Sequence, residues 1–421
     1  MIMMAFVFVV VGVVKEQKSN ATLDLSSGLY VLANSKDMAK STLVGKKIVF
    51  SEDDFKKNLN VSEISTLTVT KTPSTDEGAL CVGNVLVNEG QTISAANLSL
   101  LNFRPSSNDI RESSFKFKVN SFEYEITCNL YFLRDENVAP TLLLEDEKSF
   151  SVSTHQNITV WGRVSAYDAD GDSIRYEVVT YAKNGTLCLD SATGDYSYTP
   201  SGTFFGEDSF EYVAVDKYGN YSTSRVVSLS VKERKSGIVF CDMDGNRAHN
   251  AAMTMAEMGV MGGIDIGNKT YFMPDRAVSR IDFLVMLMDT LGYAPTANVM
   301  DTGFSDDSQI PASLKGYVYR AREMGLILGS VNDKGEYLFE PSREILRSEA
   351  SLIVSKVVEA NVPTIKPTFA DKGDIPTWAH DAIYTLNHLG ILDDNDGFVS
   401  PSESLTRASL AKMLCALLEY K

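Results

Sequence analysis

Two periodicities divide the chain. From about residue 27 to 235, polar and apolar positions alternate, as in Ser114-Phe115-Lys116-Phe117-Lys118-Val119 and Ser209-Phe210-Glu211-Tyr212-Val213-Ala214-Val215. This is the period of strands with one face toward a core and one toward water. The stretch also repeats itself. Gly78-Ala79-Leu80-Cys81-Val82, Leu101-Asn102-Phe103-Arg104-Pro105 and Ser114-Phe115-Lys116-Phe117 are echoed by Gly185-Thr186-Leu187-Cys188-Leu189, Tyr198-Thr199-Pro200 and Ser209-Phe210-Glu211-Tyr212. Helix signals are scarce here, and the pattern predicts two copies of one antiparallel β-sandwich, over 27–135 and 137–232.

After about residue 236 the apolar positions recur at helical spacing, in three copies that we place at 236–300, 301–362 and 366–421. Each opens with an aromatic-x-Asp triplet, ending at Asp242, Asp306 or Asp371, and continues into a short helix that stops at Gly259, Gly325 or Gly390, the residue type suited to a left-handed helix end. Pro274, Pro341 and Pro401 each precede an arginine by six residues, Arg280, Arg347 or Arg407, where a second helix begins. Its apolar residues keep one phase in all three copies, so the three pack as one unit.

The arginines are the anomaly. Ser279-Arg280-Ile281-Asp282 and Thr406-Arg407-Ala408-Ser409 read as helix starts with a hydroxyl N-cap. A cation in the first turn opposes the helix dipole by about 0.3–1 kcal/mol, and the choice is made three times. A negative group must therefore meet each side chain: either the triplet Asp of the same protein or a bound anion, for which the planar fork of Arg suits a carboxylate.

Charge narrows the partners. The chain has 421 residues and a net charge of −16, with 44% hydrophobic and 22% charged residues, the profile of several folded domains. Such a balance disfavours nucleic acid and anionic lipid held by a general field; an anionic ligand must be captured locally. Residues 1–14 form an uncharged apolar run, too short for a stable membrane span and suited to the core of a secretory signal over 1–20, or to an N-terminal strand or buried anchor. The five cysteines form no C-x-x-C pair and the four histidines no metal-ligand spacing; no Ser occupies a G-x-S-x-G elbow, so catalysis has little to start from.

Asp168, Asp170 and Asp172 place three carboxylates in one turn. Either a structural Ca²⁺ neutralises them or they form a solvated acidic hairpin turn; an EF-hand is excluded because Ser173 and Val179 stand where its Gly and bidentate Glu belong. Together with Asn137-Val138-Ala139-Pro140, Gly185-Thr186-Leu187, Tyr198-Thr199-Pro200 and Asp208-Ser209-Phe210-Glu211-Tyr212, this turn resembles the bacterial cadherin-like or Ig-like repeats of secreted proteins. The calcium site is similar to those of cadherins.

The aromatic-x-Asp triplet, the helix ending in glycine, the Phe-to-Pro turn and the arginine helix start, in order and in triplicate over 236–421, resemble the S-layer homology domain. The resemblance implies a pseudo-threefold helical bundle that attaches surface proteins to pyruvylated secondary cell-wall polysaccharide. It implies that Arg280, Arg347 and Arg407 grip the ketal carboxylates, that Asp242, Asp306 and Asp371 with Gly259, Gly263, Gly325 and Gly329 shape the grooves, and that Trp378 stacks on a sugar. Every copy departs from the pattern: the helix-one Trp is present only as Trp378, with Arg247 and Ser313 in its place in the first two copies, Leu346 replaces the hydroxyl cap in the second, and in the third Asp393 and Asp394 follow Gly390-Ile391-Leu392, Ser409 replaces the acid and the turn reads Phe398-x-x-Pro401; the acidic loop predicts that Arg407 matters least. The expectation is a non-catalytic exported surface protein, its sandwiches serving as spacers or as adhesion modules for an unknown protein or glycan. The alternatives are a lattice-forming S-layer subunit and a wall hydrolase.

Overall fold

The computed structural model describes residues 37–420 apart from 60, 144–150, 359 and 361–367. The apolar segment at 1–20, the start of the first sandwich at 27–36 and the link between the second and third helical copies lie outside the described residues.

The first β unit contains β1 (Met38–Leu43), β2 (Ile48–Val49), β3 (Thr66–Lys71), β4 (Gly78–Val82), β5 (Val85–Leu86), β6 (Thr92–Ser94), β7 (Leu101–Pro105), β8 (Glu112–Val119) and β9 (Ile126–Leu133). They form two sheets, β1-β9-β8-β3-β6 and β2-β7-β4-β5. The alternation of β8 turns Phe115, Phe117 and Val119 into the core between them. The second unit contains β10 (Thr141–Leu142), β11 (Ser151–His155), β12 (Val160–Arg163), β13 (Ala166–Tyr167), β14 (Ile174–Thr180), β15 (Gly185–Leu189), β16 (Asp195–Pro200), β17 (Gly206–Asp216) and β18 (Arg225–Lys232), with main sheets β11-β18-β17-β14 and β12-β16-β15.

The echo in sequence is an echo in topology. In each unit an early strand runs parallel to the last, β1 with β9 and β11, the second strand of its unit, with β18. Gly78 faces Pro105 as Gly185 faces Pro200, and Cys81 faces Asn102 as Cys188 faces Ser197. The two cysteines therefore occupy matching slots in different units, and the cysteines are free thiols.

The units differ in two places. The first contains a helix, α1 (Glu52–Leu59), which alternation does not foresee. Its start is a reciprocal cap: Asp54 N donates to Ser51 Oγ at 3.2 Å and Ser51 N to Asp54 Oδ2 at 2.7 Å. In the second, β17 alternates only as far as Tyr212, after which residues 213–216 are all buried. The following loop folds back over the strand, Tyr221 bridging Val215 and Ser222 N donating to Ala214 O. That loop also meets the first unit: Tyr218 lies edge-on to Tyr131 at 5.2 Å, Asn58 Nδ2 donates to Tyr221 Oη at 3.3 Å, and a Cβ on Gly219 would lie 2.1 Å from Ala39 O.

The C-terminal part holds α2 (His249–Glu257), α3 (Arg280–Thr290), α4 (Lys315–Glu323), α5 (Arg347–Ser355), α6 (His380–His388) and α7 (Arg407–Tyr420). One apolar core runs from Phe240 to Leu417 and includes Ile158 of the second sandwich. The helices pair across the sequence copies, α3 with α4, α5 with α6, and α7 with α2, so the first and last helices close a ring. At its centre Val278 N donates to Leu405 O, Leu405 N to Ile345 O and Ile345 N to Val278 O.

Candidate functional site

Ring closure determines what each arginine meets. The first free amides of the three arginine helices donate to the turn of the next copy around the ring. Arg280 N donates to Arg343 O, Arg347 N to Glu403 O and Arg407 N to Arg276 O, while Ile281, Ser348 and Ala408 N donate to Pro341, Pro401 and Pro274 O. Amide groups that would otherwise concentrate positive charge at the helix start are thus already paired.

The guanidinium groups follow the same route. Arg280 Nε donates to Phe339 O at 2.9 Å, Arg347 Nε to Val399 O at 2.7 Å and Arg407 Nε to Phe272 O at 2.7 Å. Arg407 stacks over the Phe272 ring at 4.6 Å and Arg280 over Phe339 at 5.7 Å. Burial pushes the Arg280 and Arg407 guanidinium pKa values down, the signature of cations held out of water.

The three motif aspartates do not bridge to the arginines. Asp242 accepts from Phe272 N and Met273 N, Asp306 from Phe339 N and Glu340 N, and Asp371 from Val399 N and Ser400 N, at 2.7–3.1 Å. The second residue of each pair has positive φ, 58° at Met273, 59° at Glu340 and 48° at Ser400. Each carboxylate thereby holds a strained turn whose carbonyl the arginine grips. The internal-salt-bridge reading is corrected, and so is the placement of the third turn. Val399, buried, fills the slot of Phe272 and Phe339, while Phe398 is exposed; the inserted residue shifts the aromatic out of register and away from the place beneath Arg347.

Gly259, Gly325 and Gly390 are left-handed helix ends, with φ near 70°. Gly263 and Gly329 are needed for close packing, because a Cβ there would lie 2.9 Å from the Phe240 ring and 2.6 Å from the Phe304 ring. Asp394 holds the corresponding position in the third copy, where it accepts from Gly397 N and Asn387 Nδ2.

The grooves lie between copies. Arg280, Arg343, Lys356, Glu349 and residues 326–330 line a cavity of about 260 Å³, with Trp378, 53% exposed, supplied by the third copy. Glu349 sits 3.5 Å from Arg280 Nη1 and takes two bonds from Arg343. Burial opposes its ionisation, but the Arg343 hydrogen bonds, the Leu346 amide and the charge of Arg280 hold its pKa below the usual carboxylate range. Arg347 faces the loop of the third copy, its Nη2 donating to Asp393 O at 2.7 Å and lying 3.5 Å from Asp393 Oδ1. Arg407 faces the loop of the first, donating to Gly262 O at 2.6 Å. The acid that the sequence places in the groove of Arg407 therefore stands in the groove of Arg347.

The aspartate turn is also rearranged. Asp168 Oδ1 accepts from Asp170 N and Asp172 N, while the Asp170 carboxylate turns away to accept from Val138 N at 2.7 Å. The third acid beside Asp168 and Asp172 is Asp216, the ligand atoms of the three lying within 4.8 Å of one another. Asp170 is thus replaced by a residue that sequence reasoning missed. The signal was there: Asp216-x-x-Gly219-Asn220 has the spacing of Asp168-x-x-Gly171-Asp172, and Asp216 Oδ1 accepts from Tyr218 N and Asn220 N in the same way. Asp168 and Asp216 are buried, Asp168 Oδ2 has no partner among the described residues, and Lys217 is bonded to Asp172 at 2.7 Å. Buried, under-compensated oxygen donors fit a hard cation.

Residues 137–233 match the bacterial cadherin-like domain, and residues 368–411 match the S-layer homology domain. No curated protein matches the chain. Among solved structures, the chain is similar to Drosophila N-cadherin EC1-3 (11% identity, 49% of this chain and 65% of that one, TM-score 0.22) and to the Clostridium thermocellum CbhA fibronectin(III)-like modules (18%, 48% and 93%, TM-score 0.22). It is also similar to a nucleoside hydrolase-related hypothetical protein from Saccharophagus degradans (20%, 23% and 26%, TM-score 0.19), of whose length it spans about a quarter. Overlap this low carries no functional argument. Among the described residues no helix is long and apolar enough to cross a membrane.

Proposed function

From a chain that carries a bacterial cadherin-like domain followed by an S-layer homology domain, neither of them catalytic, we infer a bacterial surface protein held non-covalently on cell-wall polysaccharide. Three S-layer homology repeats form one pseudo-threefold module, and the two sandwiches serve as spacer or adhesion modules. The observation that carries this reading is the threefold recurrence of an arginine bonded to a carbonyl of the neighbouring copy. A guanidinium has five N–H groups; Arg407 commits Nε and one Nη2 donor within the protein, leaving donors for the carboxylate of a pyruvylated sugar. In the first groove Trp378 offers the sugar a stacking face, and Arg343 and Lys356 add positive charge around the single acid Glu349.

Sedimentation with purified walls tests this. The protein is expected to pellet with native walls and stay in solution with walls whose secondary polymer has been removed by acid. Equal pelleting with both ends the reading.

Ca²⁺ at Asp168, Asp172 and Asp216 belongs to the same picture, because the Asp216 loop is also the contact between the sandwiches. The ion would supply the positive charge this cluster lacks. Saturation at a hundredfold over Kd stabilises by about 2.7 kcal/mol, so the sandwich transition is expected to rise by several degrees from EDTA to millimolar calcium and to lose that response in Asp216→Asn. A melting curve indifferent to calcium removes the site.

A further inference from the structure

The end of β11 enters the helical ring as a plug. Residues 155–158 turn tightly, with Asn157 at a φ of 59°, Ile158 N donating to His155 O and Thr154 Oγ1 to Ile158 O at 2.8 Å. The turn delivers Ile158 of the second sandwich into the apolar core of the ring. His155 stands at its base, 4% exposed. Asn250 of α2 fixes the imidazole: its Nδ2 donates to Ser153 O at 2.8 Å, which leaves its Oδ1 to accept from His155 Nδ1 at 2.9 Å. Nδ1 thus carries the proton and Nε2 the lone pair. A cavity of about 670 Å³, lined by His155, Lys232, Lys235, Glu257, Cys415 and Glu419, lies beside the imidazole and gives protons a route to it.

The surroundings favour the neutral imidazole. On the sandwich side, Lys232 is the register partner of His155 across β11 and β18, and Arg234 follows, its amide bonded to Gln156 Oε1, between Glu233 and Lys235. Lys232 and Arg234 both oppose a charge on His155. On the helical side, α2 supplies a second partly buried histidine, His249, with Asp242 and Asp244 before it, and α7 supplies Cys415 and Glu419. Glu257 at the end of α2 favours the charged form, but its carboxylate already accepts from Lys235 N, Ser236 N and Ser236 Oγ. Burial is the largest influence on both imidazoles and pushes both pKa values down, and a charge on His155 opposes one on His249.

We propose that this joint is an acid-operated release: protonation of His155 at Nε2 expels the plug and frees the sandwiches to swing on the ring. A charged imidazole is better solvated outside the joint than within it, and Ile158 leaves with it because one hydrogen-bonded turn connects the two. The closed joint binds fewer protons than the open one. It therefore holds at full strength above about pH 6.5, the ordinary imidazole value, and weakens as pH falls from there toward the depressed values. The loss is up to tenfold per pH unit for each histidine, and His249 adds a second proton to the same equilibrium.

The chain has two tryptophans, and Trp161 lines the cleft of about 1070 Å³ between the second sandwich and the ring. In the full-length Trp378→Phe protein, quenching of its emission by acrylamide therefore reports the joint. Quenching is expected to rise between pH 7 and 5, above the ordinary carboxylate range, while the helical circular-dichroism signal stays constant. In this background His155→Gln, whose amide still donates to Asn250, is expected to flatten the profile, and His249→Gln to leave a shallower one. Lys232→Gln, which relieves the repulsion on His155, is expected to move the midpoint to lower pH. A profile flat from pH 7 to 5 in the Trp378→Phe protein, an unaltered profile in His155→Gln, or loss of helix together with the exposure overturns the proposal. If His155→Gln is open at every pH, Lys232→Gln decides, and an unmoved midpoint there overturns it.

Discussion

Replacing Arg280 and Arg407 together by alanine is expected to release the protein from native walls, whereas Arg347→Ala costs the least of the three single changes. The reason is the offset between copies. Arg280 faces a loop of apolar residues and Gly329 beside an exposed tryptophan, and Arg407 faces the acid-free loop at 260–263. Both Arg280 and Arg347 have an acid at 3.5 Å, but Glu349 beside Arg280 takes two bonds from Arg343, whereas Asp393 beside Arg347 stands in the groove loop itself, with Lys412 on it, so an incoming carboxylate must displace it. Each charge-assisted contact is worth about 1.5–3 kcal/mol, roughly ten- to a hundredfold in affinity per groove. Loss of two grooves also removes most of the gain from a polymer engaging several at once. Binding isotherms with wall fragments measure this; an Arg347→Ala loss equal to that of Arg407→Ala contradicts the assignment. Asp393→Ser is expected to strengthen the groove of Arg347.

Deletion of residues 405–420 is expected to unfold the helical ring as a whole, including α2 some 150 residues upstream. Helix α7 is the partner of α2, Leu405 supplies one of the three central backbone bonds, and Leu410, Leu414 and Leu417 are fully buried. Losing even one such leucine costs about 2–5 kcal/mol, comparable with the entire stability of a small domain. Hydrogen exchange at residues 249–257 reads the outcome. Native protection there in the truncated chain, with α3 to α6 also intact, means the copies are independent. The sandwiches have their own cores and keep their transition.

The sandwiches were legible because alternation is a local property: Phe115 and Phe117 declare a buried face wherever the strand ends up. The cap at Ser51 and Asp54 was equally local, yet α1 is only two turns long and offers too little helical period to interrupt the β pattern. Asp216 is far from Asp172 in sequence, and only the shared Asp-x-x-Gly spacing links them. In the helical part the arginines, aspartates and glycines were all visible, but their partnership was not. A repeat read along the chain assigns each arginine to its own loop; the fold assigns it to the next, because helices pair across copies. The slip from Phe398 to Val399 needed the backbone, since Asp371 selects its turn by two amides and is indifferent to the side chain that follows.

The clasp of α2 bears on how a tethered surface protein carries tension. Drag on the sandwiches reaches the ring through residues 235 and 236, whose amides are tied to Glu257 at the far end of α2, while Asn250 near its start is tied to β11. The pull is thus spread along a helix flanked by α7 and must shear several bonds simultaneously, where a free terminal helix would unzip one turn at a time.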